Sequence, residues 1–148
     1  LKSLPFGKSI FGFAFCAYAP YFGTIFPSVV DLAPGKSVCS LNQSWIKQNH
    51  IKTVHAIAVC NLVEMSMGLV AESTIPKHLR WLPMGMNIDY LKKATGKLTA
   101  TSEIDADTFF QLDKYPGMVS VPVVVKNMDD LVVTTAEVRL WISEKPKK

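Results

Sequence analysis

Charge, cysteine and metal-ligand clusters are all scarce in this sequence. Charged residues make up only 19% of its 148 positions. The three cysteines, Cys16, Cys39 and Cys60, form no CxxC pair and are odd in number. They offer no disulfide framework; set among apolar neighbours, they read as buried, reduced thiols, which points to the cytoplasm or another reducing compartment. His55 stands five residues from Cys60, not a helical neighbour spacing, so a cysteine–histidine nucleophile is not indicated. No HExxH is present, and no metal site is expected. The 16 basic and 12 acidic residues leave a formal charge of +4. Much of that excess lies in Lys145, Lys147 and Lys148, which read as a disordered basic tail over 145–148. No basic stripe interleaved with aromatic residues occurs, so nucleic acid is not an expected partner.

The run from residue 9 to residue 30 contains no charge at all. Its length would suffice to span a bilayer. Pro20, Pro27, Gly12 and Gly23 would break such a span repeatedly, and no signal-peptide pattern is evident. The expectation is a short apolar helix over 7–19, stopped by Pro20, then a buried strand over 24–32. Stable membrane insertion is not expected. Phe11, Phe15 and Tyr18 share one face of the first helix and predict a packed aromatic stripe.

Almost half of the chain, 49%, is apolar, enough for one well-packed domain over 1–148. Pro34-Gly35 marks a turn, and alternation over 36–46 predicts a second strand. Residues 53–73 form the strongest element, a helix apolar nearly all round, with Thr53 as its expected cap. Asn61, Glu64 and Glu72 interrupt it, which argues against a lipid span. Strands are then predicted over 85–94, 97–104, 119–126 and 131–143. Pro122 inside the third implies an edge or a bulge, because proline cannot donate to a ladder. In the last, Val132, Thr134, Ala136, Val138, Leu140 and Ile142 share one face. Consecutive late strands imply an antiparallel sheet, and so apolar a helix is buried only if that sheet curls around it. The fold class is therefore α+β.

That element order resembles the hot-dog fold, and the residues strengthen the likeness. Asn49 precedes His55 by six residues, and Glu64 follows it by nine. These spacings match the phenylacetyl-CoA and 4-hydroxybenzoyl-CoA thioesterase group, where an Asn, a His-Gly-Gly and a helical carboxylate recur in this order. The stretch 87–96 also resembles that group's third strand and turn. With Ala19-Pro20-Tyr21 near its start, the chain resembles most a thioesterase-like subfamily of unannotated function. The likeness covers roughly residues 7–144. It implies an acyl-CoA or acyl-carrier-protein thioester as substrate and no cofactor, coenzyme A entering as part of the substrate. It also implies a homodimer or tetramer. The family's two glycines are Ala56 and Ile57 here. Ile57 keeps the backbone N–H that polarises the thioester carbonyl in the family, but adds a branched side chain where the thioester approaches.

The chemistry needs a base, oxyanion donors and an acyl slot. Glu64 is the candidate base or nucleophile, or else a structural carboxylate paired across a dimer. His55 either donates a hydrogen bond to substrate or caps the helix; Asn49 either orients water or holds its loop. Ala56, Ile57 and Asn61 are candidate substrate contacts. Gly68 shares the helix face of Asn61 and Glu64, and allows close approach of a ligand or tight packing on the sheet. Met84 and Met86, with Met65 and Met67, either line an acyl tunnel or belong to the core. Lys92 and Lys93 at a strand end either meet coenzyme A phosphates or are solvated. The rival to a hydrolase is a non-catalytic acyl or lipid binder on the same fold.

Overall fold

The computed structural model describes residues 7–107 and 115–146. The first helix, α1, covers Gly7–Tyr18 and stops ahead of Pro20, as expected. Phe15 stacks on Phe22 with ring centroids 5.5 Å apart. Tyr18 does not join that contact; it is 89% exposed. The side chain of Phe11 lies outside those described.

Pro20–Ile25 forms a 3-10 helix, so the strand β1 is shorter than expected, at Ser28–Ala33. The reason is local. Phe26 sits in the left-handed region at φ 46°, and Pro27 lacks a donor, so the run cannot continue a ladder. Gly35, at φ 82°, turns the chain into β2, Lys36–Asn42. A side chain at Gly35 would meet the Ile104 carbonyl 3.0 Å away. The expected hairpin thus forms, but β2 ends early because Trp45–Lys47 coils into a second 3-10 helix.

The central helix, α2, is Ala56–Thr74. It is long and apolar enough to cross a membrane by length and composition, yet 67% of that window is buried inside the fold. The remaining strands are β3 (Leu79–Tyr90), β4 (Lys97–Glu103), β5 (Gly117–Lys126) and β6 (Val132–Glu144). All pair antiparallel in one sheet of six strands, ordered β1-β2-β4-β5-β6-β3, which wraps α2. This is the hot-dog fold. Every second residue of β4, β5 and β6 faces the helix: Leu98, Ala100 and Ser102; Val121, Val123 and Val125; Val138, Leu140 and Ile142 are all buried. Such alternation is what one solvated and one buried sheet face dictate. Leu62, Val63, Met65, Met67 and Val70 meet them from α2 at 0% exposure.

Three expectations need correction. β3 begins six residues earlier than 85–94 predicts, because Pro83 is tolerated on an edge strand and a bulge near Met84 resets the alternation. Pro122 lies in an interior strand, but the β4–β5 ladder stops at Val124, so no donor is missed there. Lys145 is not part of a loose tail: its backbone N–H donates to the His78 carbonyl at 2.9 Å and its Nζ to the Lys77 carbonyl at 2.7 Å. Lys147 and Lys148 lie outside the described residues.

Burial in β2 has a consequence for pH. The apolar surroundings push the Cys39 thiol up to about 12 from its ordinary value of 9.0, against a small opposing pull from a hydrogen bond with Ser66. The native state therefore keeps a proton that the unfolded chain has lost, and this contribution to stability falls as pH rises from about 9 towards 12. The expected slope is up to about 1.4 kcal/mol per pH unit. Urea midpoints across that range should fall less steeply in Cys39→Ala, whatever its absolute stability.

Candidate active site

The approach to α2 is held by a tight loop. Asn49 is its centre: Oδ1 accepts from the N–H groups of Ile51 (3.1 Å) and Thr53 (3.0 Å), and Nδ2 donates to Thr53 Oγ1 at 2.8 Å. Both lone-pair directions of the amide oxygen are thus used within the loop. Of its two alternatives, Asn49 adopts the loop-holding one in this state. Thr53 is occupied by the same network and does not cap the helix.

His55 caps it instead. Its Nδ1 accepts from the Ile57 N–H at 3.1 Å, and its own N–H donates to the Lys47 carbonyl at 2.8 Å. A residue in extended backbone geometry just before a helix satisfies one of the orphan N–H groups in this way. An accepting Nδ1 leaves the ring proton on Nε2, where it remains a donor. The Ile57 N–H, expected to face a thioester carbonyl, is engaged by His55 here. The Ile57 side chain is 56% exposed and forms part of a wall, not a plug.

That wall belongs to a cavity of about 370 Å³ between the two 3-10 helices and the start of α2. His55, Ile57 and Asn61 line it together with Thr24, Phe26 and Lys47. Lys47 was not picked out from the sequence. It is buried, its Nζ donates to the Ile25 carbonyl at 3.1 Å, and burial lowers its ammonium below the usual lysine range. Its signal in the sequence is weak, a lysine between Ile46 and a polar loop.

Glu64 lies further down α2. Seven residues separate it from Ile57, about 10 Å along the helix axis. It is half-buried and makes no hydrogen bond or ion pair with another described residue. Cys60 sits one turn before it on the same face. The Cys60 Sγ lies 2.9 Å from the Tyr90 hydroxyl, which also donates to the Ala56 carbonyl at 3.2 Å. Burial, reinforced by the Cys60 contact, pushes the Tyr90 hydroxyl above its ordinary range. Tyr90 and Cys60 are 30 residues apart in sequence, so only the strand placement brings them together.

Gly68 has the packing explanation. The Trp81 ring of β3 covers it, its indole N–H donating to Glu72 Oε2 at 3.1 Å. A Cβ at Gly68 would meet Trp81 Cη2 at 3.5 Å, ordinary van der Waals contact. Gly68→Ala should therefore fold normally and gain up to about 1 kcal/mol in a denaturant titration, since alanine favours helix. A marked loss would show that something else approaches the helix there.

The methionines do not share a wall. Met65 and Met67 are fully buried, Met86 is half-buried against the core, and Met84 is 59% exposed. Lys92 and Lys93 are exposed just past β3. Among the described residues, no group of three His, Cys, Asp or Glu could hold a metal ion. The structure thus gathers His55, Ile57 and Asn61 around one cavity, and leaves Glu64 two turns away from the helix start.

A sheet wrapped around one apolar helix gives this chain the hot-dog fold, which it shares with solved structures of thioesterases. The chain belongs to the family described as domain of unknown function DUF4442, which matches residues 7–142. A structural-genomics protein designated APC5556 is 37% identical, with a TM-score of 0.81 over 94% of this chain and 91% of its own. The thioesterase SAV0944 of Staphylococcus aureus is 20% identical, with a TM-score of 0.71 over 84% of this chain and 98% of its own. The PaaI protein of Escherichia coli, from the phenylacetic acid degradation operon, is 14% identical, with a TM-score of 0.71 over 91% and 92%. No curated protein matches the chain.

Proposed function

We propose that this protein is an acyl thioester hydrolase that uses Glu64 as general base. The observation that carries the reading is a half-buried carboxylate with no partner among the described residues, on the one open face of a helix otherwise packed on all sides. A carboxylate kept partly from water without an ion pair is costly unless it has a task. In the proposed reaction Glu64 takes a proton from water, and the oxygen attacks the thioester carbonyl. The His55 Nε2–H and the partial positive charge of the α2 start stabilise the oxyanion. Collapse breaks the C–S bond; the thiolate leaves and takes up the proton, and a carboxylic acid remains. Coenzyme A, or the arm of an acyl carrier protein, is the proposed leaving group, with Lys92 and Lys93 near its phosphates.

One protomer does not bring Glu64 to His55. A twofold dimer supplies the missing half, and the outer edge of β3, unpaired in one chain and 12 residues long, is the surface for it. The test is thiol release from a panel of acyl-CoAs spanning chain lengths and aromatic acids. Release that is absent across the panel in a dimeric sample sinks the reading. One observation favours a non-catalytic binder instead: the Ile57 N–H is already bonded to His55. Co-purified acid without turnover would support that alternative.

A further inference from the structure

The end of the molecule around the start of α2 turns apolar side chains to water where a soluble surface would present charge. The open cleft there is rimmed by Tyr21, Phe26, Ile46 and Ile57, all more than half exposed. Trp45, beside Ile46 on the same 3-10 turn, is 85% exposed, while Lys47, the last residue of that turn, is buried. The first helix adds to this surface. Ile10, Phe13, Ala14, Ala17 and Tyr18 recur at helical spacing in α1 and are all exposed, so its outward stripe is wholly apolar. Phe15, off that stripe, already has its partner in Phe22. α1 passes through Ala19 straight into the first 3-10 helix, so the stripe ends at Tyr18, three residues before Tyr21. Exposed apolar side chains gathered in this way mark a site of association.

The charge around them has one sign. Residues 7–63 contain four lysines and one acid, Asp31. β1 carries Asp31 away from the cleft: Ala33 and Gly35, just beyond it, bond Ser73 and Thr74 in the last turn of α2, roughly 25 Å along the axis from the helix start. Lys36 lies at that far end too, paired with Glu103. Lys47 and Lys52 remain at the near end, one lining the cleft and the other exposed on the adjoining loop. None of the described residues that line the cleft is acidic.

A second copy of the chain fits this face poorly. Twofold pairing sets a patch against itself and would bring Lys47 and Lys52 towards their own counterparts. A soluble acidic protein would answer the two lysines but not the larger apolar share of the surface. The headgroup layer of an anionic bilayer answers both. Trp and Tyr rings settle at that depth, apolar side chains reach the acyl boundary, and lysines meet lipid phosphates.

We propose that this end of the protein docks reversibly on the surface of an anionic lipid bilayer. Trp45, Ile46, Tyr21, Phe26 and the outward stripe of α1 enter the headgroup layer, and Lys52 meets the phosphates. The chain lies on the membrane and does not cross it, since Pro20 and Pro27 interrupt the uncharged run. The cleft at the start of α2 then opens towards the lipid. This docking is independent of the hydrolase reading.

The protein is mixed with vesicles of phosphatidylcholine alone, or of phosphatidylcholine with phosphatidylglycerol, and sedimented. Partition onto the anionic vesicles should be at least about tenfold stronger, and should weaken as salt is raised. Lipids with brominated acyl chains should quench Trp45 emission; Trp45→Phe should lose most of the quenching and keep its partition. Trp45→Ser combined with Ile46→Ser should weaken partition by at least about tenfold. Both side chains are exposed, so the melting temperature of that variant should hold. No partition, equal partition onto neutral and anionic vesicles, or partition unchanged in the double variant overturns the proposal. So does a larger oligomer that the double variant disperses without any vesicle binding, which gives the face to a second copy. Retention of acyl carrier protein in place of vesicles overturns it as well, giving the face to an acidic protein. Quenching in the unmodified protein decides the matter even if the double variant fails to fold.

Discussion

Glu64→Gln should lower acyl-CoA hydrolysis by at least a hundredfold while leaving the melting temperature almost unchanged. A positioned general base contributes about 10²–10⁴ in rate, and the amide cannot take a proton. The substitution keeps size and shape. It also breaks no hydrogen bond or ion pair with the described residues, so its effect on stability should stay within about 0.5 kcal/mol. Steady-state thiol release and a thermal melt on the same sample separate the two effects. Turnover retained in the variant would remove Glu64 from the chemistry. A large drop in melting temperature would show that the carboxylate is a structural group paired in the assembled protein.

The largest effect on stability should come from the opposite side of the same helix. Leu62 is 0% exposed, and the α2 surface on which it sits is enclosed by the sheet. Leu62→Ala removes buried methyl groups and leaves a cavity that a paired sheet cannot close by local movement. Such substitutions cost about 2–5 kcal/mol. In a domain of this length that corresponds to a fall of roughly 10 °C in melting temperature, readable by circular dichroism. Ile57→Ala, five residues earlier and 56% exposed, should change the melting temperature by no more than about 2 °C. If the two variants melt alike, the enclosed face of α2 has been assigned wrongly.

Much of the architecture was legible before any coordinates. The apolar run around Leu62, the strict alternation of Val138, Leu140 and Ile142, and the turn at Pro34-Gly35 are local patterns, written in consecutive residues. The elements that were misread are those where two local signals conflict. Pro83 and the exposed Leu82 and Met84 hid the first half of β3, because an edge strand tolerates residues that a central strand rejects. Phe26 in a left-handed turn cut β1 short, which no propensity of phenylalanine announces. At the site, the order of Asn49, His55 and Glu64 could be read from spacing. Their partners could not: the cap is His55 and not Thr53, and the amide of Asn49 is committed to its own loop.

Sequence alone determined that a greasy helix exists, that strands follow it, and that Glu64 and Glu72 interrupt it, because periodicity of burial repeats over a few residues. Tertiary structure alone decided that β3 lies beside β6, and so set Tyr90 against Ala56 and Cys60 and laid Trp81 over Gly68. It also decided that Lys47 and Asn61, 14 positions apart, share one cavity. Those juxtapositions depend on which strands pair and in what register, a choice made by packing the whole sheet around one helix, and no short window of residues carries it.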